Sequence, residues 1–189
     1  MSNFSETTNS IHFLAIIPHH NTLAELENIQ KSVPHGVPLY PIVCPLCPID
    51  DYTANEAQVK KYIKTQQNTL KNYTLHIAKP KIIEPQMPKN NSSFQKIQCT
   101  IEGLPPFESS KLDIPFLPEP FTQGAFTLRY MDTEIPHTNK QNELTEIKAY
   151  KTASLTMRIY RIGIVTVKKI EDLQGFSWTF SHDVWVKTN

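Results

Sequence analysis

Apolar residues along this chain fall into short runs between polar, proline-marked breaks, and the period of each run predicts its structure. His12-Phe13-Leu14-Ala15-Ile16-Ile17 is apolar on both faces and is stopped by Pro18, the pattern of a central strand with a neighbour on each side. Leu23, Leu26, Ile29 and Val33 then recur near helical spacing, and Pro34 ends that helix. Thr22-Leu23-Ala24-Glu25 has the form of a capping box, so the helix is expected to begin at Thr22. Leu39 to Ile49 reads as extended but holds Pro41, Pro45 and Pro48. Proline cannot donate to a ladder, which predicts an interrupted or edge strand. A second capping box, Thr53-Ala54-Asn55-Glu56, opens a second helix. Its apolar face is Val59, Tyr62, Ile63 and Leu70, with Lys60, Lys61, Lys64 and Lys71 toward solvent.

The second half of the chain reads as strands. Tyr73 to Ala78 and Phe94 to Ile101 are separated by a polar loop near Pro85 to Ser93. Pro105 to Pro120 is an irregular connection, Gly124 to Met131 a strand, and Pro136 to Asn142 a polar loop. Ser154 to Val167 carries the strongest strand signal: Leu155, Met157 and Ile159 alternate with Thr156, Arg158 and Tyr160. The apolar phase then moves to Ile162 and Ile164, which predicts a bulge or bend near Gly163. Gly175 to Val186 is the last strand. Met1 to Ser10 is polar and is expected to be a flexible tail. No internal repeat has a fixed period.

Composition narrows the class. At 189 residues, with 39% hydrophobic and 20% charged, the chain suits one globular α+β domain. A net charge of +1 supplies no global basic field for nucleic acid. Fifteen Pro against five Gly leave no phosphate-cradling glycine loop. No run approaches the roughly 18 apolar residues of a membrane span, and Met1 to Ser10 lacks the basic start of a secretory signal. Three Cys fit a reducing compartment, so an intracellular setting, cytoplasmic or nuclear, is expected.

The chemistry-bearing residues are sparse. Cys44-Pro45-Leu46-Cys47 has the spacing of half a zinc site, but a second ligand pair is hard to find, and buried structural cysteines are expected with no metal and no cofactor. His19-His20 lies just before the first helix and reads as an exposed loop pair; His76 falls in a strand and reads as packed or hydrogen-bonded. Lys148, Lys151, Arg158, Arg161, Lys168 and Lys169 form a local cationic segment near Tyr160, with Arg129 and Tyr130 on another strand. Basic and aromatic side chains on a sheet hold phosphate and stack bases; a strand with one solvated face carries charges in any case.

The order of elements, the opening His12-Phe13-Leu14-Ala15-Ile16-Ile17-Pro18 and the closing pair Met157 to Val167 and Gly175 to Lys187 resemble the 2H phosphoesterase superfamily, also called the 2′-5′ RNA ligase-like or cyclic phosphodiesterase family. The resemblance covers Ile11 to Lys187 as one domain. It implies two β-α-β-like lobes around a concave, mainly antiparallel sheet. Active members carry two His-x-Thr/Ser motifs that act as acid and base on a phosphodiester. The first falls here on Pro41 and Val43, the second on Ala125 and Thr127, so both histidines are missing. The resemblance therefore implies a pseudoenzyme that binds RNA or protein subunits of a larger complex, with Thr127, Arg129, Tyr130, Arg158 and Tyr160 as ligand contacts. The alternatives are an active phosphodiesterase on RNA ends or cyclic nucleotides, and a protein-only scaffold.

Overall fold

A computed structural model describes residues 10–33, 36–49, 52–70, 73–83, 94–104, 124–132, 155–170 and 175–185. The expected tail over 1–9, the polar loops after 83 and 132, and the proline-rich connection after 104 lie outside the described residues.

Among the described residues the fold is α+β, with two helices and an antiparallel, strongly curled sheet. Its first strand, β1 (Ser10–Ile16), is the apolar run. It lies between β3 (Cys44–Ile49) and β9 (Arg161–Ile170), antiparallel to both, and β10 (Gly175–Trp185) follows β9 to complete a four-stranded sheet. Flanked on two sides, β1 feeds two cores by simple alternation. Leu14 and Ile16 join the larger core with Leu26, Ile29, Val59 and Ile63 of the helices; Phe13, Ala15 and Ile17 pack with Leu39, Val43, Tyr130, Val165 and Val167. Each large aliphatic or aromatic side chain so buried contributes about 1.5–3 kcal/mol.

The second sheet runs β2 (Val37–Pro38), β7 (Ala125–Asp132), β6 (Phe94–Glu102), β4 (Thr74–Ile77), β8 (Leu155–Arg158), with β5 (Lys81–Ile83) paired to β6. A backbone hydrogen bond joins the sheets: the Gly124 amide, just before β7, donates to the Pro45 carbonyl of β3 at 2.9 Å. The Leu39 amide donates to the Leu128 carbonyl at 2.9 Å and so continues the β2–β7 pairing toward β3. Gly124 sits at φ 71, a conformation glycine adopts without penalty. At the other end the sheets share covalent chain, because β8 runs through Ile159 and Tyr160 directly into β9. The proline-bearing β3 is the end strand of its sheet, where missing amide donors are tolerated.

Helix α1 (His20–Ser32) and helix α2 (Tyr52–Leu70) both begin earlier than their capping-box patterns predict. His19 is the extended N-cap of α1 and makes no side-chain cap bond, while the Leu23 amide already donates to the His19 carbonyl at 2.8 Å. The chain turns helical as soon as it leaves β1, which puts Thr22 in the third helical position instead of at the cap. Thr53 likewise follows the first residue of α2. The apolar faces are as expected: Leu26 and Ile29 of α1 and Val59, Ile63 and Leu70 of α2 are buried.

The interruption expected at Gly163 falls instead at Ile159–Tyr160, where the chain passes from one sheet to the other. Gly163 pairs regularly with Ala15 and Asp183; the irregularity lies in β10, between Phe180 and His182. Among the described residues, no helix is long and apolar enough to cross a membrane.

Candidate functional site

A cleft of about 480 Å³ opens where three pieces of chain meet: the exit of β1 into α1, the segment before β3, and the β8–β9 junction. Ile17, Pro18, Leu23, Pro41, Ile42 and Val43 give it an apolar wall. His19, His20, Glu27, Tyr40, Tyr160 and Arg161 are its polar lining. A mainly apolar concavity with a few polar groups is the usual form of a small-ligand site.

Local geometry explains why these groups meet. The Ile17 amide donates to the Arg161 carbonyl at 3.0 Å, tying the end of β1 to the start of β9. His19 is half-buried and His20 exposed, with ring centroids 3.9 Å apart and planes tilted by 51°. His19 also lies 5.1 Å from the Tyr160 ring. Tyr40 is 40% exposed at the cleft. The Glu27 carboxylate is paired with Lys31 at 3.6 Å.

Of the expected motif positions, Pro41 and Val43 lie in the segment leading into β3, and Ala125 and Thr127 lie on β7. Pro41 and Val43 line the cleft; Ala125 and Thr127 are not part of its lining. Thr127 is 3% exposed, and its hydroxyl has no hydrogen-bond partner among the described residues.

Of the five proposed ligand contacts, only Tyr160 lines the cleft. Tyr130 is buried in the smaller core, and burial raises its phenol above the ordinary range. Arg129 donates from one guanidinium nitrogen to the Gln30 carbonyl at 2.9 Å and from the other to the Gly36 carbonyl, so it closes the end of α1. Arg158 is exposed on β8, opposite Thr74. In the cationic segment, Arg161 joins the cleft; Lys148 and Lys151 lie outside the described residues.

His19, His20, Tyr40 and Arg161 are the cleft residues that the pattern of the sequence did not single out as ligand contacts. The available signal was Pro18-His19-His20, a polar pair wedged between a central strand and an amphipathic helix. Loops at such strand ends are where a scaffold carries function. His76, expected to be packed or hydrogen-bonded, is exposed between the buried Leu75 and Ile77, as strand alternation requires, so it is not packed.

The cysteines are core residues. Cys44, Cys47 and Cys99 are buried and reduced, and loss of hydration pushes their thiols up to about 12, 11 and 12 respectively. Among the described residues no group of three or more His, Cys, Asp or Glu is placed to hold a metal ion.

No protein-family model matches the chain, and no curated protein matches it at a significant level. The geometry of the cleft therefore carries the functional argument.

Proposed function

We propose that this chain is a non-catalytic, 2H phosphoesterase-like domain that binds RNA in the cleft, its two sheets standing for the family's two lobes. A phosphate meets His19, His20 and Arg161, and a base lies against Tyr40 or Tyr160. Arg158, two residues before Tyr160, extends the cationic track along the strand. The observation that carries this reading is the shared cleft lining of two imidazoles, one arginine and two tyrosines on a mainly apolar wall, with the one lining carboxylate, Glu27, paired to Lys31. Phosphate recognition needs hydrogen-bond donors and positive charge, and aromatic faces accept any base.

Binding without turnover is part of this proposal, and two features support it. In-line phosphoryl transfer requires the attacking and leaving oxygens on opposite sides of phosphorus. Two imidazoles with ring centroids 3.9 Å apart stand side by side and do not flank such a centre. Pro41 and Ala125, at the positions of the family's histidines, have no proton to transfer. The specific observation favouring the active reading is that His19 and His20 line one cleft.

The test is a paired measurement on one preparation. Fluorescence anisotropy with a short labelled uridine oligonucleotide at low salt should show binding. Arg161→Met should weaken it and reduce the salt slope by about 0.7, the value for one single-strand phosphate contact. Incubation with a 2′,3′-cyclic phosphate or an oligoadenylate should give no turnover. Turnover that disappears with His19→Ala or His20→Ala makes the chain an enzyme. Neither turnover nor RNA binding leaves the protein-scaffold reading.

A further inference from the structure

Helix α1 turns one stripe to the cleft: His20, Leu23 and Glu27 line it at helical spacing. Glu27 is the odd member of that lining. It is the one carboxylate there, and a carboxylate repels the phosphates of RNA. Its 3.6 Å contact with Lys31 engages one carboxylate oxygen, and both side chains are partly exposed, so the pair is weak and the carboxylate can take another donor. Tyr40 reaches the same cleft from the segment before β3 and is 40% exposed. The Tyr160 ring already meets His19 at 5.1 Å, whereas no ring packs on Tyr40 among the described residues. An open aromatic face and a lone carboxylate in one cleft suit a ligand that is flat and apolar on its faces and carries N–H donors on its edge.

We propose, resting on the RNA reading above, that the cleft selects guanine: the base stacks on Tyr40 and turns its N1–H and N2–H donors to the Glu27 carboxylate. An ionised carboxylate only accepts hydrogen bonds, through two oxygens side by side. Of the four RNA bases, guanine alone offers two N–H donors side by side, on its Watson–Crick edge. Adenine and cytosine place one amino group next to an acceptor nitrogen, and uracil places one N–H between two carbonyl oxygens. Each of these sets an acceptor against a carboxylate oxygen. Stacking a splayed base on an aromatic side chain and bonding to its edge is how single-stranded RNA is read. The carboxylate that weakens phosphate binding thus favours one base. At about 480 Å³ the cleft lies toward the lower end of the range for small-ligand sites, so it takes one base at a time.

The test is competition by fluorescence anisotropy, with the full chain, between short uridine RNAs that carry one guanosine, inosine, adenosine or cytidine at the centre. The guanosine RNA should bind about tenfold tighter than the all-uridine one, within the range of one bidentate base contact. Inosine, which lacks the N2 amino group, should lose about threefold or more of that gain. Glu27→Gln presents one acceptor and one donor, the complement of adenine's edge, so it should abolish the guanosine preference and favour adenosine. Lys31→Met, which removes only the partner of the pair, should leave the preference in place. Both changes fall at a partly exposed pair on a helix, so both variants fold. RNAs that bind alike whatever the central base, a guanosine preference that survives Glu27→Gln, or one that Lys31→Met also abolishes, overturn guanine recognition and leave RNA binding standing. If no RNA binds but guanosine alone shifts the Tyr40 ring resonances by NMR, and does so less in Glu27→Gln, the base recognition holds for a free nucleoside and the RNA reading falls. If no RNA binds and guanosine shifts nothing, both fall.

Discussion

Replacing Arg129 by Met separates a structural arginine from an RNA-binding one. The guanidinium makes two hydrogen bonds to backbone carbonyls, Gln30 in the last turn of α1 and Gly36 just beyond it. Helix C-termini leave carbonyls without intrahelical donors, and a cation there also meets the negative end of the helix dipole. Hydrogen bonds to a charged partner are each worth about 1.5–3 kcal/mol net. Arg129 is partly exposed, so water recovers some of the loss, and the expected destabilisation is about 2–4 kcal/mol. With a urea dependence of about 2–3 kcal/mol per M, the unfolding midpoint should fall by roughly 1 M. Arg129→Lys should recover part of this, since an ammonium keeps the charge but loses the planar fork that reaches both carbonyls. Urea unfolding followed by circular dichroism checks the magnitude. A loss below about 0.5 kcal/mol would refute the clamp. Unchanged stability with weakened oligonucleotide binding would restore Arg129 to the set of RNA contacts.

Three further outcomes are expected. Phe13→Ala empties a fully buried site on the central strand and should cost about 3–5 kcal/mol, measured as the same urea midpoint; a loss under 1 kcal/mol would show that the smaller core collapses freely. The thiols of Cys44, Cys47 and Cys99 hold their protons to about 12, 11 and 12 in the folded chain, against an ordinary 9.0. The unfolded chain therefore releases these protons first; the thiols' contribution to stability is level below pH 9 and falls between pH 9 and about 11–12 by up to about 1.4 kcal/mol per pH unit for each thiol. A thiol reagent at pH 8 should consequently react only at the rate of unfolding, and a fast-reacting cysteine in the folded protein would contradict the burial. Tyr160→Ala should weaken oligonucleotide binding by about 1–3 kcal/mol if a base stacks there, read by anisotropy; an unchanged affinity removes Tyr160 from the site.

Much of the strand plan was legible because it follows from local alternation. Phe13 to Ile17 read as a strand buried on both faces because the run is short and ends at Pro18, and the apolar faces of α1 and α2 were written at helical spacing. The helix starts were not legible, because a cap depends on where the preceding strand lets go. Thr22 has the right neighbours for a cap, but the Leu23 amide reaches the His19 carbonyl first. The break at Ile159–Tyr160 was missed for a related reason: alternation records which face a side chain takes, not which sheet the strand belongs to. Arg129 looked like a ligand contact because its carbonyl partners lie 99 and 93 residues away. The cleft was half visible. Pro41, Val43 and Tyr160 were singled out from the sequence for other reasons, whereas His19, His20, Tyr40 and Arg161 meet only through the three-way junction.

The position of β1 between two partners has a consequence for how the chain matures on the ribosome. Phe13 pairs with Pro48 on one side and with Val165 on the other, 35 and 152 residues downstream. At about 5–20 residues per second, the second partner is synthesised roughly 6–25 s after the first. Through that interval one edge of the most apolar strand in the chain has no native neighbour, and unpaired apolar edges invite association with other chains. Closure then depends on contacts of very long sequence separation, which belong to the slow end of folding rates. Nascent chains stalled before β9 should therefore be bound by chaperones and cleaved readily by protease near Phe13 to Ile17, and chains released after Lys168 should resist both.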